Sequence, residues 1–373
     1  MKKSLVALAT LTLIGSAFAD VDVSGGVKLY GVIDMGVQSQ SLASPSTNIT
    51  SDYQGLFASA ATSRLGVKAS RDLGDGLKGI AQAEIQLAPD QATLLPSKNR
   101  QAFVGLSSET AGTIILGTTE TFAYEVFAFD VNGRVEYKPQ VWRTTTSVDS
   151  QDRANNSIKY NSPSIGGFTG HAMMNFHEQS SIATCTITCA TITSYAVKYS
   201  SDKLKAAYVH DSITNTVLSG KFGGIAGDGV SGAGTGLIYG ANTTWASGMD
   251  PVQRDILAFS YDFGPALVSF ISAKAFQGDS ASNSTNTFGV RVPFEKVTLA
   301  LSYGTGAVNS AQASTSTTTT LSGDGNLTDT TFGAYYNFDK STQAYILASR
   351  STSTVGKYEG TGTVTAIGAR YNF

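Results

Sequence analysis

Alternation of apolar and polar residues recurs along this 373-residue chain from its first fifty residues to its last. A period of two is the period of a strand, whose successive side chains point to opposite faces. In VKLYGVIDMGV (27–37), Val27, Leu29, Ile33, Met35 and Val37 share one face, and Lys28, Tyr30 and Asp34 the other. In SRLGVKAS, Leu65, Val67 and Ala69 oppose Arg64, Lys68 and Ser70; in AQAEIQL, Ala81, Ala83, Ile85 and Leu87 oppose Gln82, Glu84 and Gln86. Leu257, Phe259, Tyr261 and Phe263 likewise oppose Ile256, Ala258, Ser260 and Asp262. The chain closes with Ile367, Ala369, Tyr371 and Phe373 against Gly368, Arg370 and Asn372.

Such strands fit a sandwich or a barrel, and the connections discriminate. Short ones fall at 73–76, 107–112, 163–166, 201–202, 264–265, 293–295 and 339–340. Between them lie long polar segments at 38–61, 88–99, 119–153, 178–190, 212–252, 277–285, 306–326 and 352–360. A sandwich has no reason to sort its loops by parity, whereas outer-membrane barrels join short inner turns to long outer loops. Seven short and eight long connections imply sixteen strands. The expectation is an all-β fold, a transmembrane antiparallel β-barrel of sixteen strands.

Composition supports this. Charged residues are only 14% of the chain, against about 25% in ordinary globular proteins. A face turned to lipid explains the shortage, because charge near the bilayer midplane costs about 2–4 kcal/mol. Thirty-nine Gly, 18 Phe and 16 Tyr favour strands and turns over helices and exclude a disordered chain. A net charge of −2 with three His argues against nucleic acid as a partner. A barrel this wide encloses water, so the inward positions are expected to be polar.

Residues 1–19 read as a signal peptide: Lys2 and Lys3, an apolar run from Leu5 to Ile14, then Ala17-Phe18-Ala19 as the cleavage site. The run is too short for a spanning helix. Residues 20–373 form one barrel domain on this reading. Cys185 and Cys189 read as a disulfide in an exported chain. Two thiols with His177 make a poor metal site; no metal or cofactor is expected.

Several segments resemble the general diffusion porins of Gram-negative bacteria, of neisserial and beta-proteobacterial type. LYGVIDMGV resembles the family's opening strand, and SRLGVKASRDLGDGLKGIAQAE its second hairpin. NRQAFVGLSSETAGTIILG, RANNSIKYNSPSIGGF and YYNFDKSTQAYILAS follow in the family's order, and the chain ends in ARYNF. The resemblance implies a water-filled, homotrimeric outer-membrane channel passing small hydrophilic solutes and ions. It also implies lipid and lipopolysaccharide as surroundings, and Phe373 as the signal read by the barrel-assembly machinery. Leu29, Ile33, Tyr371 and Phe373 are interface candidates, which lipid contact explains equally well.

The third long segment, 119–153, corresponds to the loop that folds into the lumen and narrows it. Its aromatics Phe122, Tyr124, Phe127, Phe129, Tyr137 and Trp142 argue for an inward position, because on the surface they would sit in water. Its carboxylates Glu120, Glu125, Asp130 and Glu136 are expected to face the permeant path. By resemblance, Arg64, Arg100 and Arg153 form the opposing basic cluster. Alternation places Arg64 and Lys68 in the lumen, but it aligns Arg100 with the lipid-facing Ala102, Val104 and Leu106 unless a bulge intervenes. Thr118 stands where the family often has Arg. Lumen-facing Lys28, Arg64, Lys68 and Lys159 outnumber Asp34 and Glu84 in the first six strands, which predicts weak anion preference.

Other motifs carry less. The G-x-G-x-x-G at 227–232 is followed by AGTGLIYGANTT, without the helix a dinucleotide site needs. His171 and His177 lack a nucleophile motif. A substrate-specific channel, for organic acids for instance, is the alternative on the same fold; a barrel enzyme or adhesin is the third reading.

Overall fold

In a computed structural model, the chain forms one antiparallel sheet whose last strand returns to pair with its first full-length strand. The structure describes residues 21–44, 49–57, 62–90, 99–133, 152–176, 191–214, 250–278, 281–310, 325–354 and 359–373. The first strands are β1 (Val21–Ser24), β2 (Val27–Ser44), β3 (Ile49–Phe57), β4 (Arg64–Gly74), β5 (Leu77–Gln86) and β6 (Asn99–Ser108). Next come β7 (Gly112–Glu120), β8 (Arg153–Asn161), β9 (Phe168–Asn175), β10 (Thr191–Ser200), β11 (Leu204–Thr214) and β12 (Val252–Asp262). The wall is completed by β13 (Leu267–Gln277), β14 (Ala281–Phe294), β15 (Val297–Ser310), β16 (Gly325–Asn337), β17 (Thr342–Ser353) and β18 (Gly360–Asn372).

These eighteen segments build sixteen staves. Both β3 and β4 pair with β2, at Gly36–Ser44 and Val27–Val32 respectively, so they are two lengths of one stave. Short β1 pairs with β2 at Val21 and Leu29, where β18 has just ended at Asn372 opposite Val32, so β1 continues the last stave. Closure leaves no free sheet edge, a requirement in lipid, where unpaired backbone groups have no water to bond. Gly31 permits the seam: it exchanges backbone hydrogen bonds with Phe373, and a Cβ there would lie 2.3 Å from the Phe373 ring.

Side chains sort by parity as expected. Val104, Leu116, Ile346 and Ile367 point outward and are exposed, and Phe259, Phe270 and Phe288 form an outward ladder across three strands at 5.6 and 4.7 Å. Among the described residues no helix is long and apolar enough to cross a membrane.

Three expectations change. The 38–61 segment is not simply a loop, since β2 runs to Ser44 and pairs with β3 as a ribbon. Likewise 277–285 is mostly strand, with β13 ending at Gln277 opposite Ala281 of β14. Thr, Ser and Asn carry ladder hydrogen bonds as well as apolar residues do, so polarity alone does not mark a strand's end. The lumen is also not polar throughout: the inward positions of β10–β13 include Ile192, Val209, Ile213, Ile256, Ala258 and Ile271, all buried.

Candidate functional site

The apolar stretch of inner wall is covered from inside. After β7, the chain turns into the lumen at Thr121, whose backbone N–H donates to Asp152 O at 3.2 Å. The Thr121 hydroxyl accepts from Tyr124 N at 3.1 Å, capping a single helical turn, α1 (Phe122–Glu125), which runs into a 3-10 turn at Val126–Phe129. Phe122, Val126, Phe127 and Phe129 pack with the Ile, Val and Ala side chains of β10–β13 in one buried cluster. Burying a side chain of this size contributes about 1.5–3 kcal/mol, so the docked segment replaces water over that wall.

The segment then continues along the wall. Val131 packs with Ala300, Tyr345 and Leu347; Asn132 donates to Ser302 Oγ at 3.0 Å, and Tyr335 donates to Asn132 O at 3.1 Å. Asp130 accepts from Asn132 N at 3.0 Å, making the turn rather than facing the lumen as expected; it is buried.

On β4–β6 the inward positions are charged. Glu84 is the hub: it accepts from Tyr30 Oη at 3.0 Å, pairs with Arg64 Nε at 3.4 Å and bonds Arg100 Nε. Arg100 reaches it because the β5–β6 register slips between Ala83 and Ile85, so that residues 100 and 101 both face Glu84. This bulge turns a nominally lipid-facing position inward. Arg100 also approaches Glu120 at 3.9 Å, and Arg153 lies 3.4 Å from the same oxygen with its guanidinium over the Tyr124 ring at 5.1 Å. Lys28 and Lys68 stand directly opposite each other, with Lys68 Nζ 5.0 Å from the centre of the Tyr30 ring. Asp34 is buried, accepting from Tyr345 Oη at 2.6 Å and Arg370 Nε at 2.7 Å.

Glu125, at the end of α1, bonds the ammonium groups of both Lys159 and Lys198. Burial alone would raise its pKa, but the two ammonium groups hold its carboxyl below the usual carboxylate range. Of the carboxylates expected to face the permeant path, Glu120 and Glu125 bond wall cations, whereas Asp130 is buried in a turn. Glu136, Cys185, Cys189 and His177 lie outside the described residues, as do Tyr137, Trp142 and residues 1–19.

A closed sixteen-stave barrel with an inward segment and an arginine-lined wall invites comparison with known proteins. The family model described as Gram-negative porin matches residues 4–373. The chain belongs to the Gram-negative porin family. It is 32% identical over 195 residues to outer membrane porin protein 32 of Delftia acidovorans, covering 49% of this chain and 52% of that one. It is 31% identical over 175 residues to major outer membrane protein P.IB of Neisseria lactamica, covering 46% and 48%. The chain thus spans about half the length of these curated relatives. Among solved structures, the anion-selective porin from Comamonas acidovorans superposes with a TM-score of 0.68 at 20% identity, covering 93% of this chain and 99% of that one. At that identity the likeness concerns the fold. As a member of this family, the protein is an outer-membrane β-barrel.

In this porin the structure brings Arg64, Arg100, Arg153, Glu84 and Glu120 into one chain of contacts, while Asp34 belongs to a separate cluster with Tyr345 and Arg370. Phe373 lies at the closing seam. Lys198 was missed, although Ile192, Ser194 and Ala196 on its strand alternate inward with it. Arg254 was also missed; it is fully buried on the inner side of β12 and donates to Asp211 through Nε at 2.7 Å. Among the described residues no three His, Cys, Asp or Glu side chains group as a metal site.

Proposed function

We propose that this chain forms a water-filled diffusion channel for small hydrophilic solutes and ions, with a preference for anions. One observation carries the sign. Among the described residues, five cations, Arg64, Arg100, Arg153, Lys159 and Lys198, meet three carboxylates, Glu84, Glu120 and Glu125, at the lumen wall. Cations outnumber carboxylates at these contacts, and rings of side-chain charge set ion preference in wide pores. The Comamonas acidovorans porin of similar fold is anion-selective, in agreement with this sign. The roles of Arg64, Lys68, Arg100 and Arg153 as constriction-wall residues, with Lys28, Asp34 and Glu84 beside them, belong to the proposal. So does the role of 119–153 as the constriction loop.

The same reading includes a homotrimer in outer-membrane lipid and lipopolysaccharide, assembled through the C-terminal strand after cleavage behind Ala19. A Vibrio cholerae outer membrane protein of similar fold, with a TM-score of 0.61 at 16% identity, has a trimer form. Planar-bilayer recording of the purified native oligomer tests channel, trimer and sign together. The expected result is conductance appearing in three equal steps, with a reversal potential in a KCl gradient reporting anion preference. Clear cation preference overturns the sign, and absence of conductance overturns the channel. Liposome swelling with size-graded sugars and organic acids separates graded diffusion from a substrate-specific channel.

A further inference from the structure

The inward segment meets the wall at a contact more specific than its apolar packing. On adjacent strands β8, β9 and β10, three basic side chains form a diagonal. Lys159 pairs with Met173, one rung beyond the row in which Asn161, His171 and Ala196 align, while Lys198 pairs with Thr169. Each inward step along these strands is two residues, so Lys159, His171 and Lys198 descend the wall one rung per strand. The Phe122 ring lies against all three, at 4.7 Å from Lys159 Nζ, 5.2 Å from Lys198 Nζ and 5.4 Å from the His171 ring centre.

Phe122 and Glu125 are three residues apart on one helical turn and so share a face. The ring therefore sits under the two ammonium groups while the carboxylate bonds both of them. Lys159 Nζ donates in addition to Glu120 O at 2.8 Å, tying the same lysine to the residue where β7 ends. His171 is held on the wall by Asn161 Oδ1 at 2.7 Å and Thr169 Oγ1 at 2.8 Å. Apolar packing against Ile, Val and Ala has no preferred direction, and alone it lets a short helical turn slide along the strands. A carboxylate shared by two lysines on different strands fixes position in both directions of the wall.

We propose that Glu125, Lys159 and Lys198, with Phe122 between the lysines, form an electrostatic latch that sets where the inward segment lies and keeps the lumen in its conducting state. These are positioning residues for permeation, and the inference rests on the channel reading above. Glu125→Gln leaves two ammonium groups facing a neutral amide. Lys198→Gln leaves the carboxylate its Lys159 partner and is the milder break. Glu125→Lys combined with Lys198→Glu restores two cations and one carboxylate in exchanged positions.

The test is single-channel recording of wild type, Glu125→Gln, Lys198→Gln and the exchanged double variant, each checked for the folded barrel by heat-dependent gel mobility. Glu125→Gln is expected to raise the ratio of closed or sub-conducting to open time by about tenfold, the factor that about 1.4 kcal/mol represents. Lys198→Gln is expected to act in the same direction and less strongly, and it carries the test if Glu125→Gln does not assemble. The exchanged variant is expected to recover steady conductance, which loss of apolar packing does not predict. Wild-type behaviour in both single variants, or failure of the exchange to recover a folded channel, overturns the latch. A wild-type protein that does not conduct overturns the channel reading instead.

Discussion

On the inner face of β10–β13 the lumen positions include many Ile, Val and Ala side chains, with Lys198, Asp211 and Arg254 among them, whereas on β4–β6 they include Arg64, Lys68, Gln82, Glu84 and Arg100. The strands alternate equally well on both sides, so the difference does not come from strand formation. It comes from what each wall meets. The β10–β13 wall is covered by Phe122, Val126, Phe127 and Phe129, and there an apolar surface is stabilising because it removes water from both partners. The wall at β4–β6 instead carries charges that bond one another across adjacent strands. An inward residue can thus be apolar where the segment covers it, and a charge beneath the same cover, such as Arg254, is paired.

The largest effect should come from the fully buried Arg254–Asp211 ion pair on the covered side. Asp211→Ala leaves Arg254 buried without its carboxylate, and breaking such a pair costs about 3–5 kcal/mol. The folded barrel should lose its resistance to urea by that amount, read by gel mobility or tryptophan emission. Stability unchanged within error would show that water reaches Arg254 and that the wall is not closed.

Overpacking the same wall is the next test. Ala258 is fully buried beneath the inward segment, so Ala258→Phe should cost about 1–3 kcal/mol and displace the segment, altering unitary conductance. The matching change outward, Phe259→Ala, loses lipid contact and the ring contact with Phe270 and should leave conductance as it is. Equal effects from both would erase the distinction between the covered wall and the lipid face.

On the open wall, Arg64→Gln should reduce anion over cation permeability by up to about fivefold, because a unit charge at 4 Å in water is worth about 1 kcal/mol. Stability should change little by comparison. An unchanged reversal potential would remove Arg64 from the permeation path.

The smallest expected effect concerns pH. Glu125 has its pKa lowered on folding, so its pairing stabilises the docked segment above the unfolded value of about 4.3. That contribution declines as pH falls below the unfolded value and is gone once pH has passed the lowered folded value. Open-channel noise should therefore stay constant from neutral pH down to the ordinary carboxylate range and rise below it. Loosening already near pH 5 would mean that Glu125 is less tightly held than its two lysines imply.

Several features were legible along the chain. The lipid-facing sets, such as Leu257, Phe259 and Phe263 or Ile367 and Tyr371, followed from parity, as did the inward position of Arg64 and Lys68. Arg100 was not decided by parity, because a bulge shifts the count by one and nothing local announces it. The wall partners of Glu120 and Glu125 were not legible for a different reason. A carboxylate in an inward segment faces water or a lysine depending on which strand lies beneath it, and Lys198 is far away in the chain.

Alternation with a period of two, scarce charge and connections sorted by length determine a sixteen-stave barrel in the outer membrane. These are local and repetitive properties, and each strand states its own two faces. Where the inward segment docks and which cations share which carboxylate depend on contacts between residues far apart in the chain, 73 positions for Glu125 and Lys198 and 203 for Asn132 and Tyr335. Only closure of the barrel brings such residues within bonding distance, because the curvature of the wall, not the order of the chain, decides which side chains meet across the lumen.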